Sequence, residues 1–277
     1  MNDINHQPGI AEAKYLCGGG HRCPESIIMD NILQNLEAIR RRIRMACESA
    51  GRDSGQVRLL LATKTVPPDR IKIALDAGER LIGENKVQEL KEKYEALKTV
   101  SHEKHFIGHL QTNKIKEVLK FGVSCIQSLD RADLAEKLHQ RLLFEKKKID
   151  VLIQVNTSAE ESKFGIPPEE AIPFVRKIAG LDTLHIKGLM TIGLFSAEKE
   201  KVRTCFKVLR QLQQQIIQEN IPRVEMKELS MGMSGDLETA IEEGATIVRV
   251  GTAIFGQRIY PDSYYWNEGE AKKDTGK

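Results

Sequence analysis

Apolar and polar positions follow two rhythms along this chain. From 26 to 50 the apolar residues Ile32, Leu33, Leu36, Ile39 and Ile43 recur at the spacing of one helix face, and Gly51 closes the run. Beyond it, short apolar runs take turns with amphipathic segments. "RLLLAT" precedes a helix predicted over 68–77, "RLIGE" one over 87–97, "HFIGH" one over 112–121 and "SCIQSL" one over 131–144. The second half repeats the scheme: "DVLIQVN" before 168–179, "IKGLMTI" before 197–219, "ELSMGMS" before 236–243, and "TIVRVG" before a short terminal helix or turn.

Eight short strands alternating with helices imply parallel pairing through right-handed crossovers. Eight such units close naturally into an α/β architecture, the (β/α)8 TIM barrel, here with an extra N-terminal helix. An open doubly wound sheet is the alternative, but no G-x-G-x-x-G follows the first strand. We expect one domain over 25–260, a disordered extension over 1–24 with Met29 as a candidate alternative start, and a frayed tail over 261–277.

Composition narrows the setting more than the chemistry. A chain of 277 residues that is 40% hydrophobic and 29% charged has material for one large core. The net charge of +3 implies no nucleic acid or other polyanion partner. No apolar run reaches the roughly 18 residues of a membrane span, and the N-terminus lacks the basic and apolar regions of a signal peptide. Five scattered cysteines, an odd number, point to a reducing, cytoplasmic location. "CGGGHRC" offers Cys17, His21 and Cys23 to a metal, but no fourth ligand lies nearby, and no metal site is expected. Charge runs at 145–148 ("EKKK") and 198–203 ("EKEKVR") are expected to be solvated helix faces.

The chemistry of a barrel collects at the C-terminal ends of its strands. Lys64, Asn85, His109, Asn156, Met190, Ser230, Ser234 and Arg249 all fall at such ends. A lysine partly desolvated in the mouth has its charged form disfavoured, and its free amine can form a Schiff base with an aldehyde or ketone. Gly251 and Thr252 follow the eighth strand, and Ser230, Gly232 and Ser234 close the seventh. These are the loops where barrels bind phosphate through backbone N–H groups and hydroxyls. An amine facing a phosphate pocket suits pyridoxal phosphate or a phosphorylated ketose, the latter in a class I aldolase-like enzyme. Arg249 favours the former reading if it faces a pyridine nitrogen, which it would keep unprotonated.

These residues sit inside eight ordered blocks: "ATKTV", "GENKVQEL", "HFIGHLQTNK", "QSLD", "VNTSAEESKFG", "GLMTIG", "LSMGMSGDLETAI" and "VRVGTAIFG". From about Ile32 to Tyr260 the chain resembles the pyridoxal phosphate homeostasis proteins, whose fold is that of the alanine racemase barrel domain. The resemblance implies a protein that binds pyridoxal 5′-phosphate and serves its intracellular supply by storage, protection or delivery, with PLP-dependent apo-enzymes as partners and no established turnover. It makes Lys64 the Schiff-base lysine. Ser230, Gly251 and Thr252 would hold the phosphate with Ser234 close by, and Arg249 would face the ring nitrogen. Asn85, Met190 and His109 would line the pocket. The short stretch after Tyr260 leaves no room for the racemase's second domain and its tyrosine acid/base. A minimal PLP-dependent amino-acid racemase or decarboxylase is the enzymatic alternative.

Overall fold

Eight parallel strands pair in sequence order and the eighth returns to the first, closing a barrel in the computed structural model, which describes residues 24–160 and 162–256. They are β1 (Arg58–Ala62), β2 (Leu81–Glu84), β3 (Glu103–Phe106), β4 (Cys125–Leu129), β5 (Ile149–Gln154), β6 (Leu184–Met190), β7 (Val224–Ser230) and β8 (Ile247–Val250). The open-sheet alternative fails on one ladder: β1 runs beside β8 from Arg58↔Ile247 to Leu61↔Val250. The Cys17, His21 and Cys23 reading and the tail after 260 lie outside the described residues. So does most of the expected leader, whose Pro24 already opens the first helix.

Helices follow each strand: α2 (Pro68–Asp76), α3 (Val87–Leu97), α4 (Ile115–Lys120), α5 (Ala132–Glu145), α6 (Ala171–Ile178), α7 (Lys199–Gln218), α8 (Leu237–Glu242) and the single turn α9 (Thr252–Phe255). Two predicted helices start late because 3-10 turns at Thr112–Lys114 and Pro168–Glu170 lead into α4 and α6. No helix among the described residues is long and apolar enough to cross a membrane.

Strand alternation sorts the side chains into two cores. Leu59 and Leu61 face outward into the helix layer, whereas Leu60 points inside and packs with Leu81, Cys125, Leu152, Met190 and Ile247. These six pack together inside the barrel and make its apolar filling.

The extra helix, α1 (Pro24–Ser49), lies along α2, α8 and α9. Ile32, Leu36, Ile39 and Ile43 form its buried stripe, while Leu33, assigned to that stripe by spacing, is 38% exposed. Its polar side chains reach loops that lead to the mouth. Asn35 donates to the Ile254 carbonyl at 3.1 Å, and Arg42 donates to the Ser234 carbonyl at 2.9 Å while pairing with Glu238. In the run at 198–203, expected as a solvated face, Glu198 to Lys201 are exposed and one charged residue departs. Arg203 turns inward from α7 and pairs with Glu242 and Glu243 at the end of α8.

Candidate functional site

The alternation that buries Leu60 continues through Ala62 to Lys64, which lies two residues past β1 and is only 5% exposed. Thr63 has the opposite parity and points into the wall, where its hydroxyl donates to Glu84 Oε1 at 2.6 Å. Thr65 takes φ = +63°, a left-handed conformation rare for a β-branched residue and costing on the order of 1–3 kcal/mol. Its N–H donates to Glu89 Oε2 at 2.8 Å. Lys93 Nζ completes the cluster by donating to the Thr63 carbonyl, Glu84 Oε1 and Glu89 Oε2, each at 2.7 Å. All three ionisable side chains are buried.

One ammonium here serves two carboxylates. Burial pushes the Glu84 carboxyl up to about 8 despite the opposing pull of Lys93. Burial also acts to raise Glu89, but Lys93, a hydrogen bond from Glu84 and the Thr65 N–H outweigh it and hold Glu89 below the usual range. A carboxyl raised in the folded state contributes stability that is full below about 4.5 and is lost as pH rises through about 8. Glu84→Gln, which mimics the protonated form, should flatten the fall in thermal stability across that window. A parallel fall in both proteins, measured by calorimetry at several pH values, would reject this account.

Register assembles the mouth around Lys64. β7, β8, β1 and β2 are consecutive neighbours and carry Ser234, then Arg249 with Gly251 and Thr252, then Lys64, then Asn85. Two glycines permit the close approach of these ends. A Cβ on Gly251 would stand 2.7 Å from the Ala62 carbonyl oxygen, and one on Gly108 would stand 2.1 Å from that of Asn85. Thr252 is exposed at the start of α9, and Ser234 and Asn85 are half-buried.

Two expected pocket residues play different parts. Met190, 1% exposed, closes β6 and belongs to the inner apolar cluster. His109 lies three residues past β3 and stacks on Phe164 from the loop after β5, with ring centroids 4.0 Å apart. Asn156 is spent within that same loop, donating to the Glu160 and Lys163 carbonyls.

Arg249 points inside the barrel. It donates to Ser230 Oγ and to the Thr191 carbonyl, both at 2.7 Å. Burial brings its guanidinium down to about 10, with Asp236 opposing, so it stays cationic at neutral pH. Ser230 in turn donates to Gln127 Oε1 at 2.6 Å, and the Gln127 amide reaches His105 Nδ1 at 2.7 Å. Burial pushes the imidazole of His105 down. Ser230 has no exposed surface, and its hydroxyl accepts from Arg249 and donates to Gln127, so it holds Arg249 in place. His105, Gln127, Glu84, Glu89 and Lys93 were all missed from sequence, although Glu89 and Lys93 have visible i,i+4 spacing.

At the opposite end of the barrel a cavity of about 320 Å³ is ringed by Arg58, Glu103, Asp150, Lys187 and Glu225. Its charges pair among themselves, as in Arg58–Glu103 and Lys187–Glu225, both at 2.6 Å.

Residues 34–259 match the family described as alanine racemase, N-terminal domain. A pyridoxal phosphate homeostasis protein from Aquifex aeolicus is 45% identical over 230 residues, spanning 83% of this chain and all of that one. The chain belongs to the pyridoxal phosphate homeostasis protein family. The structure of a Synechococcus elongatus protein, PipY, solved with PLP bound, superposes with a TM-score of 0.72 at 29% identity, covering 81% of this chain and all of that one. Alanine racemase from Corynebacterium glutamicum shares the fold, with a TM-score of 0.65 at 14% identity over 83% of this chain and 62% of the enzyme. Within the homeostasis family, then, this chain keeps the racemase-type barrel, and the mouth carries the lysine.

Proposed function

We propose that this protein binds pyridoxal 5′-phosphate in the barrel mouth and holds it for storage, protection or delivery in the cytoplasm. The observation that carries the reading is the placement of Lys64: a buried lysine two residues past β1, whose last residue, Ala62, meets the glycine turn that ends β8. Its relatives' names and the PLP-bound PipY structure support the same ligand. When bound, the cofactor supplies an aldehyde and an electron-withdrawing ring.

The residues fit such a group. Lys64 Nζ is the amine that would bond the aldehyde carbon. The turn at Gly251 and Thr252, with Ser234 across from it, is the phosphate cradle. A side chain at Gly251 would collide with Ala62, and the glycine leaves that backbone open to an anion. Arg249, fixed by Ser230 and Thr191, lies below the mouth as a cation for the ring nitrogen side. Asn85 and the His109–Phe164 stack form the flanks, and Met190 the apolar inner side.

Thr252→Ala and Ser234→Ala test the cradle. Each hydroxyl donating to phosphate contributes on the order of 1.5–3 kcal/mol, so each loss should weaken pyridoxal phosphate binding roughly tenfold or more. Unphosphorylated pyridoxal, titrated alongside, should hardly notice. Equal losses for the two ligands would mean that these side chains only shape the mouth.

A further inference from the structure

We propose that Glu89, Lys93 and Glu84 are positioning residues for Lys64, gripping the backbone on either side of it from behind the barrel wall. The proposal rests on the reading that Lys64 carries the cofactor.

A lysine has four side-chain rotors, so its amine is aimed only as well as its backbone is held. β1 ends at Ala62, and the last ladder-type bond beyond it runs from the Thr63 N–H to the Gly83 carbonyl at 3.0 Å. Past that point a turn bond from the Val66 N–H to the Thr63 carbonyl, 2.9 Å, spans Lys64. The ionic cluster braces the same turn. Lys93 takes the Thr63 carbonyl, Glu84 takes the Thr63 hydroxyl, and Glu89 takes the Thr65 N–H. The residues before and after Lys64 are thus tied to one connected cluster, Thr63 to Lys93 and Glu84 and Thr65 to Glu89, whose members come from β2 and α3.

Two features argue against a cluster present for stability alone. Buried ion pairs are often no better for stability than apolar residues of the same size. What they offer here is directed donors and acceptors at the Thr63 carbonyl and the Thr65 N–H, the backbone groups that flank Lys64. The second feature is the left-handed Thr65, a conformation that persists when surrounding bonds over-determine it. The Glu89 carboxylate is the bond partner that holds its N–H.

Glu89→Ala is the informative change, because it releases Thr65 yet leaves Lys93 paired with Glu84, stranding no carboxylate without a cation. In the full chain we expect binding of both pyridoxal phosphate and pyridoxal to weaken by the same factor, about tenfold. The circular dichroism of the bound chromophore should fall with it, because the amine is no longer held in one orientation. Glu89→Gln should restore both readouts, since a single oxygen, Oε2, serves Thr65 and Lys93 and an amide oxygen can replace it. A lowered melting temperature with unchanged affinities and dichroism would mean a structural cluster and overturn the proposal. So would a loss confined to pyridoxal phosphate, which places the defect at the phosphate.

Should Glu89→Ala fail to fold, Thr63→Val removes only the hydroxyl bonds to Gly83 and Glu84. It should weaken both ligands about threefold, and no weakening would overturn the proposal. Lys64→Ala run in parallel separates the two levels. If that variant still takes up a borohydride-stable label at wild-type yield, the reading of Lys64 is wrong and the clamp falls with it. If it does not, any negative result with Glu89→Ala counts against the clamp alone.

Discussion

Lys64→Ala should abolish the visible absorbance that the protein acquires with pyridoxal phosphate, and should do so without unfolding it. The side chain is no part of the apolar packing of Leu60, Leu81, Cys125, Leu152, Met190 and Ile247. Truncating it leaves that packing untouched, so the change should leave the fold intact. Ligand retention is another matter. Without the amine only the phosphate cradle and the flanks remain, and a covalent attachment is replaced by a few hydrogen bonds. Borohydride should fix the cofactor's mass to the peptide containing Lys64 in the parent protein and to no peptide in the variant. A label on another lysine of the parent, with Lys64 unmodified, would reject the assignment.

The barrel was legible because its signal repeats. Eight apolar runs, each followed by a helical period, leave few topologies, and the β1–β8 ladder is the one those repeats implied. Lys64 was legible for a related reason. Parity from Leu60 carries it to the inside, and its distance past the strand places it at the mouth. Errors arose where spacing cannot see partners. Leu33 and Ile32 are adjacent, so both fit a broad stripe, but only Ile32 meets the barrel. Arg203 sits in a charged run, and only the packing of α7 on α8 shows that it has two carboxylates to meet.

The inner site was less legible still. Ser230 reads as a loop hydroxyl beside glycines, and its hold on Arg249 shows only when β8 brings Arg249 and β4 brings Gln127 to it. These contacts span 19 and 103 residues, and closure of the barrel sets them. The cluster behind Lys64 is similar. Glu89 and Lys93 look like a solvated i,i+4 pair, yet α3 turns them inward against Glu84 and the Thr63–Thr65 turn. Local pattern gives a side chain's direction; the group it meets depends on register.

The cofactor-loaded protein should activate an apo-enzyme that needs pyridoxal phosphate, and should itself turn over no amino acid at ordinary enzyme rates. The second half of this expectation rests on Arg249. Its guanidinium is cationic, held by Ser230 and Thr191, and lies inside the barrel below the mouth. A cation on the ring nitrogen side opposes protonation there, and an unprotonated ring is a poor electron sink, whereas a carboxylate would favour it. Racemisation, decarboxylation and transamination all draw on that sink, so each should be slow. The first half rests on the same weakness: a cofactor that is bound but not consumed remains available to another protein. The measurement mixes loaded protein with apo-enzyme while a scavenger removes free cofactor. Activation that survives the scavenger would establish direct delivery, and activation that vanishes with it would leave storage alone. Steady turnover of any amino acid, abolished by Lys64→Ala, would instead make this chain an enzyme and overturn the carrier reading.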